Sequence, residues 1–384
     1  MARSNREPAM SSRAMDGREW LLLTTLALLW GSTFFLTEIA LLALPPLTLV
    51  LGRVGLAAIA LLALVHLLGR RMPRAPRLWG AFLLMGLLNN ALPFSLIVAG
   101  QTEITGGLAA ILNSTSPLFS LLLAHFVTGD ERMSANRLGG LLLGIAGVAV
   151  LIGPAALKGL GAAGIGQLAV LGAALCYACA ALYGRRFRQL PPLIVAAGQL
   201  TCATLLIAPA ALAIDRPWTL APGLGIWAAL LTLALACTAA AYLIYFRLLA
   251  TAGATNLLLV TLLIPVGALA LGAAFLAEPI TPGMLAGMLL IFAGLGLIDG
   301  RLLRWRRPGP TEGREPAQTA RRRTYDPGAS SITESLPSPG RRAGTRSPDF
   351  SAFHRTQCGH QEPGCCTAPS SQSVGSSGSS SLVQ

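Results

Sequence analysis

Few residues in this chain can do chemistry, and they lie inside long apolar stretches. Asn89, Asn90, Asn113 and Ser114 fall near the middle of such stretches, and the acid Glu38 and the base Arg53 lie well inside two others. An amide at that depth either binds a polar solute or hydrogen-bonds to a neighbouring helix, the latter for ~0.6 kcal/mol on average. A charged side chain there costs at least ~2.5–3.5 kcal/mol on insertion scales, which makes it a functional candidate by default. Glu38 and Arg53 fall at similar depth, which makes an ion pair between them feasible, serving coupling or, by snorkelling, structure alone. Trp30, Tyr177 and Tyr242 can wall a polar cavity with rings that also hydrogen-bond, and Ser114 and Thr261 add hydroxyls. Tyr245 fits such a wall or an interface anchor. Pro117 and Pro265 are expected to break their helices, freeing the carbonyls of Asn113 and Thr261. In lipid a freed carbonyl is tolerated only against protein or a water-filled cavity.

Other chemistries lack their residues. Cys176 and Cys179 share a helix face but have no further ligands, and the remaining cysteines follow no zinc or disulfide spacing, so no metal is expected. His66 and His125 lie toward run ends, away from the acids. An intramembrane enzyme would need a tight cluster at one depth, so no catalytic residues are expected. Gly139, Gly140, Gly144 and Gly147 read as close helix contacts, because no Gly-Lys-Ser/Thr follows them; no cofactor is expected.

Long apolar elements must position these residues. The 384-residue chain is 53% hydrophobic and 12% charged, against about 25% charged for a soluble domain. It reads as an all-α integral membrane protein. Ten apolar runs fall near 20–43, 46–68, 78–99, 105–127, 137–153, 164–184, 192–214, 225–247, 255–277 and 283–300, each close to the ~20 residues that cross a bilayer. The first run is too long for a signal-peptide core and is read as a retained helix. The net charge of +13 sits between the runs and in the terminal arms, which points to orientation in a lipid bilayer and not to nucleic acid. With the N-terminus cytoplasmic, the inner segments hold Arg3 to Arg18, Arg70 to Arg77, Arg132, Arg137, Arg185 to Arg188, Arg247 and Arg301 to Arg307. The outer segments hold only Lys158 and Arg216. Both termini are thus expected in the cytoplasm.

The chain is also written twice. Leu44-Pro45-Pro46-Leu47 matches Leu190-Pro191-Pro192-Leu193 at an offset of 146, Glu131 matches Glu278 at 147, and Pro117 matches Pro265 at 148. Gly52 falls on Gly198, Gly140 on Gly287 and Ala146-Gly147 on Ala293-Gly294. An odd number of helices per copy inverts the second copy, the architecture that permits alternating access. The expected organisation is an arm over 1–19, five-helix repeats over 20–153 and 164–305, and a polar tail over 306–384. That tail, rich in Arg, Ser, Pro and Gly, reads as disordered, and Arg321, Arg322 and Arg323 in it suit anionic lipid.

Three segments carry a family resemblance: LALLWGSTFFLTEIA (26–40), SPLFSLLLAHFVTGDERMS (116–134) and MLAGMLLIFAGLGLI (284–298). Together they resemble the two EamA domains of the drug/metabolite transporter superfamily. The resemblance implies a ten-helix carrier of a small metabolite or drug in the cell membrane, with export the favoured direction. With no nucleotide-binding motif, uphill transport would draw on an ion gradient or on solute exchange. A non-transporting membrane scaffold or sensor is the competing class beside the enzyme. The orientation has a direct check. On intact cells, a cysteine introduced in 154–163 is expected to react with an impermeant thiol reagent, and one in 72–76 only after the cells are opened. Equal labelling of both overturns the assignment.

Overall fold

A computed structural model describes residues 15–127, 134–153, 161–257 and 259–298. The expectations for the first fourteen residues, Glu131, Lys158 and the tail from 306 lie outside the described residues. Among the described residues there are ten apolar helices: α1 (Gly17–Leu41), α2 (Pro46–Leu67), α3 (Pro76–Gly100), α4 (Gly106–Val127), α5 (Ala135–Ile152), α6 (Ala162–Phe187), α7 (Pro192–Asp215), α8 (Leu224–Thr251), α9 (Leu259–Phe275) and α10 (Pro282–Ile298). Among the described residues there is no strand. Large apolar side chains such as Leu28, Ile59 and Leu205 point outward and are more than half exposed, as lipid-facing residues are. The protein is a ten-helix integral membrane protein built from two inverted five-helix repeats.

Local chemistry sets the helix ends. Four helices begin at proline, which has no N–H to leave unpaired at that position: Pro46, Pro76, Pro192 and Pro282. The first helix begins at Gly17, earlier than the apolar run, because of a capping box. The Asp16 carboxylate accepts from the Glu19 N–H at 2.8 Å, and Glu19 accepts from the Asp16 N–H at 3.1 Å. Gly153 ends α5 at φ 69°, in the left-handed region where a Cβ is strained.

The packing follows the repeat. Each of α2, α4 and α5 packs against its own mate, α7, α9 and α10, and the most extensive of the remaining contacts come in exchanged pairs. The α1–α9 contact is mirrored by α6–α4, α3–α7 by α8–α2, and α3–α6 by α8–α1. Individual residues repeat the pattern. A Cβ on Gly52 would strike Leu230, and one on Gly198 would strike Phe82, the residue that the offset of 148 pairs with Leu230. A Cβ on Gly140 would lie 2.5 Å from the Gly294 carbonyl oxygen, and one on Gly287 would lie 2.9 Å from that of Gly147. Helices without a hydrophobic drive to associate gain their contact area this way, backbone against backbone.

The two prolines behave differently. The helix α4 does break beside Pro117, with a turn at Ser114 and Thr115. The Ser114, Thr115 and Ser116 hydroxyls donate to the carbonyls of Ile111, Leu112 and Asn113 at 2.6, 2.6 and 2.7 Å. The Asn113 carbonyl is therefore paired with a hydroxyl and is not free. The expected break at Pro265 is absent, since α9 runs continuously through it. No hydroxyl cluster precedes Pro265, and α1 braces the segment: a Cβ on Gly31 would lie 3.0 Å from the Ile264 oxygen and 3.3 Å from the Ala268 nitrogen.

If these contacts hold the bundle, Gly140→Ala should lower the melting temperature in detergent. The overpacking loss is about 1–3 kcal/mol. Gly80→Ala, where nothing lies within 4 Å, should instead be neutral or stabilising by up to ~1 kcal/mol. Equal shifts in both variants would contradict this packing.

Candidate functional site

Two irregular segments at mirror positions organise the polar interior. Residues Leu87–Ala91 of α3 and Leu235–Ala240 of α8 both wind as π-helix, and the offset of 148 superimposes them. A π turn widens the helix, leaves backbone groups to be re-paired and recurs at functional sites. In α3 the cause is Pro93, which has no N–H for the carbonyl four residues back, that of Asn89. In α8 the Thr238 hydroxyl donates to the Leu233 carbonyl, five residues back, at 2.8 Å.

These segments carry Asn89 and Asn90 in one repeat and Cys237 and Thr238 in the other. The Tyr242 hydroxyl accepts from the Asn90 amide at 2.9 Å and from the Asn89 amide at 3.1 Å. Asn89 also donates to Gln199 Oε1 at 3.3 Å, across to α7. The mirror contact runs from α2 to α8, where Arg53 Nε donates to Thr238 Oγ1 at 3.0 Å. Arg53 and Gln199 are themselves repeat mates at an offset of 146. The polar layer thus joins mated helix pairs in both copies, through an amide–amide contact in one and a guanidinium–hydroxyl contact in the other. The guanidinium also lies 4.0 Å from the centre of the Phe94 ring, and the Tyr177, Tyr242 and Cys237 side chains surround it electrostatically. Ser32 of α1 reaches Cys237 at 3.6 Å.

Glu38 and Arg53 do not form the pair that their depth allows. Arg53 is held at the π segment of α8, while Glu38, near the C-terminal end of α1, turns to the N-terminus of α4. There it accepts from the Gly106 N–H, and Glu278, from the α9–α10 connection, accepts from the neighbouring Gly107 N–H at 3.2 Å. The four unpaired N–H groups of a helix start and its positive dipole end draw carboxylates. That attraction decides the partner of Glu38. The two carboxyl groups thus accept from adjacent N–H groups of one helix start, close enough for each to act on the charge of the other. Glu278 Oε1 is buried with no hydrogen-bond partner. A Cβ on Gly107 would stand 3.2 Å from Glu278 Oε2, so the glycine lets the acid approach. Cavities flank the two ends of the bundle. One of about 320 Å³ beside this pair is lined by Glu103, Thr105, Gln167 and Pro279, and one of about 330 Å³ at the opposite end by His66, Arg70 and Arg74.

Of the other sequence-derived candidates, Trp30 packs its ring against Tyr245, 5.6 Å between centroids. Tyr177 packs against both large apolar clusters, at the seam between them. Asn113 has its side-chain oxygen buried without a partner, Ser114 donates locally within α4, and Thr261 lies in α9. No hydrogen bond joins Asn113 or Ser114 to the Asn89–Tyr242 network. Gln199 and Glu278 are absent from the sequence-derived set. A lone amide in the apolar run of α7, on the position that pairs with Arg53, is a readable signal for the first. The second acts through the fold of a loop. Among the described residues no group of three metal-ligating side chains assembles.

If Tyr242 is the shared acceptor, Tyr242→Phe strands the buried Asn90 amide and takes one of two acceptors from Asn89, which should cost about 1–3 kcal/mol. Adding Asn90→Leu should recover part of that loss. A thermal-melt cycle checks this, and strictly additive shifts mean that the groups are not in contact.

Comparison with known proteins adds independent information. The EamA-like transporter family model matches residues 18–153 and again 164–298. The chain is 31% identical over 288 residues to the uncharacterized transporter YvbV of Bacillus subtilis, covering 73% of this chain and 92% of that one. It is 30% identical over 300 residues to a probable amino-acid metabolite efflux pump of Salmonella typhimurium, covering 73% and 94%. A solved crystal structure, 20% identical, shares the fold with a TM-score of 0.56 over 75% of this chain and 99% of that one.

Proposed function

Because the chain belongs to the EamA-like transporter family, we propose that it is a secondary transporter exporting a small organic metabolite or drug by alternating access around the polar layer of α2, α3, α7 and α8. The observation that carries this reading is the pair of mirror-related π segments, each holding a polar contact to the mate of the other's partner helix. Inverted repeats put a site at their interface, where rocking of one half against the other exposes it to each side in turn. Asn89, Tyr242 and Tyr177 line the solute path, Trp30 and Thr261 extend it, and Asn113 and Ser114 contribute from α4. The chain lies in the cell membrane with both termini cytoplasmic, which the arginine distribution supports. Export accords with the relative named as an efflux pump.

Glu38 couples transport to protons through Glu278. Two carboxyl groups held at adjacent N–H groups favour keeping one proton, because losing it leaves like charges side by side, which favours their separation. Both groups are tied to the start of α4, so proton loss loosens the junction of α1, α4 and the α9–α10 connection.

A metabolite-uptake screen in inverted vesicles, with and without a proton gradient, tests the reading. Asn89→Ala should reduce uptake per molecule roughly tenfold if one substrate hydrogen bond is lost. Glu38→Gln keeps an acceptor for the Gly106 N–H but has no proton to release. It should retain exchange down the solute's own gradient and lose proton-driven accumulation. Accumulation undiminished in Glu38→Gln would remove the carboxyl pair from coupling.

A further inference from the structure

We infer that the solute carried at this layer bears a single carboxylate, received by the free edge of the Arg53 guanidinium; the inference rests on the transport site proposed above. Arg53 is 5% exposed and lies well inside α2, where a charge without a partner is costly. A guanidinium does not escape by losing its proton. Its Nε is bonded to Thr238, but neither Nη atom has a hydrogen-bond partner in the protein, and neither is among the buried atoms left without one. Both therefore remain reachable. The groups around it are the Phe94 ring, the Tyr177 and Tyr242 phenols and the Cys237 thiol, and no carboxylate is among them. The one acid well inside a helix, Glu38, is occupied at the start of α4. A buried cation with a fixed stem, a bonded Nε and an open two-nitrogen edge lacks only its counter-ion.

The geometry selects the ion. The Nη edge matches the two oxygens of a carboxylate bidentately. One positive charge also favours a monoanion, because the complex is then neutral at membrane depth, whereas a dianion such as a phosphate monoester carries in an excess charge. The repeat accents the point. The mate of Arg53 is the neutral Gln199, so only one of the two symmetric positions carries charge, and the solute is held with its anionic end toward α2.

The test uses the full chain in lipid nanodiscs, with binding read from thermal stabilisation. The probes are free amino acids and simple monocarboxylates, each beside its uncharged carboxamide, together with inorganic phosphate. The acids that stabilise the wild type should bind at least about tenfold more tightly than their amides. Arg53→Gln should abolish that difference, and Arg53→Lys should restore part of it. Asn89→Ala should weaken acid and amide alike. Without ligand, Arg53→Met should melt no lower than the wild type, since removing an uncompensated buried charge is not destabilising. Amides binding as tightly as acids, phosphate binding in preference to both, no stabilisation by any acid, or a destabilised Arg53→Met each overturn the assignment. If acid and amide bind equally but Asn89→Ala weakens both, the site stands and the carboxylate falls. If neither Asn89→Ala nor Arg53→Gln changes binding, the site itself is misplaced.

Discussion

In hydrocarbon every backbone N–H and C=O must find its partner inside the protein, and the irregular features of this molecule follow from that constraint. Helices satisfy it by default. Wherever the helical ladder is interrupted, something specific takes over: the Thr238 hydroxyl at the π segment of α8, the three hydroxyls of Ser114 to Ser116 beside Pro117, and the carboxylates of Glu38 and Glu278 at the start of α4. Each interruption places polar atoms at a depth where they would otherwise be unaffordable. The chemistry of the protein is concentrated at these points.

Close helix contact supplies the frame in which such points face one another. The reciprocal glycines Gly140 and Gly294, and Gly147 and Gly287, bring the last helices of the two repeats to backbone contact. Gly52 and Gly198 admit Leu230 and Phe82 in the same mirrored way. Contacts made twice by inverted copies are the kind of frame on which the proposed alternation between two arrangements would draw. Function is then written in the departures from symmetry. One copy places amides at its π segment and the other a thiol and a hydroxyl. One copy places arginine on its second helix and the other glutamine.

Glu38 illustrates how strongly local electrostatics overrides proximity in depth. By sequence its natural partner is Arg53, of opposite charge and similar depth. The start of α4 instead offers unpaired N–H groups and the positive end of a helix dipole, and glycines at 106 and 107 let a carboxylate reach them. Arg53, released from that pairing, keeps an open hydrogen-bonding edge inside the bundle.

Membrane class, helix number and repeat were legible in the sequence because each rests on long-range regularities: apolar runs of bilayer length, arginines confined to alternate segments, and prolines and glycines recurring at a near-constant offset. Asn89, Tyr242 and Arg53 were legible as polar residues at improbable depth. What each of them bonds to was not. Partner choice depends on how α3 faces α7 and α2 faces α8, on the register of two π segments, and on a loop that returns Glu278 to Gly107. Pro117 and Pro265 look alike in sequence, yet one helix breaks and the other does not, because hydroxyls precede the first and a neighbouring helix backbone braces the second. Sequence determines which groups must be satisfied in lipid; only the tertiary packing decides by whom, since the candidates lie on helices that meet at single close crossings.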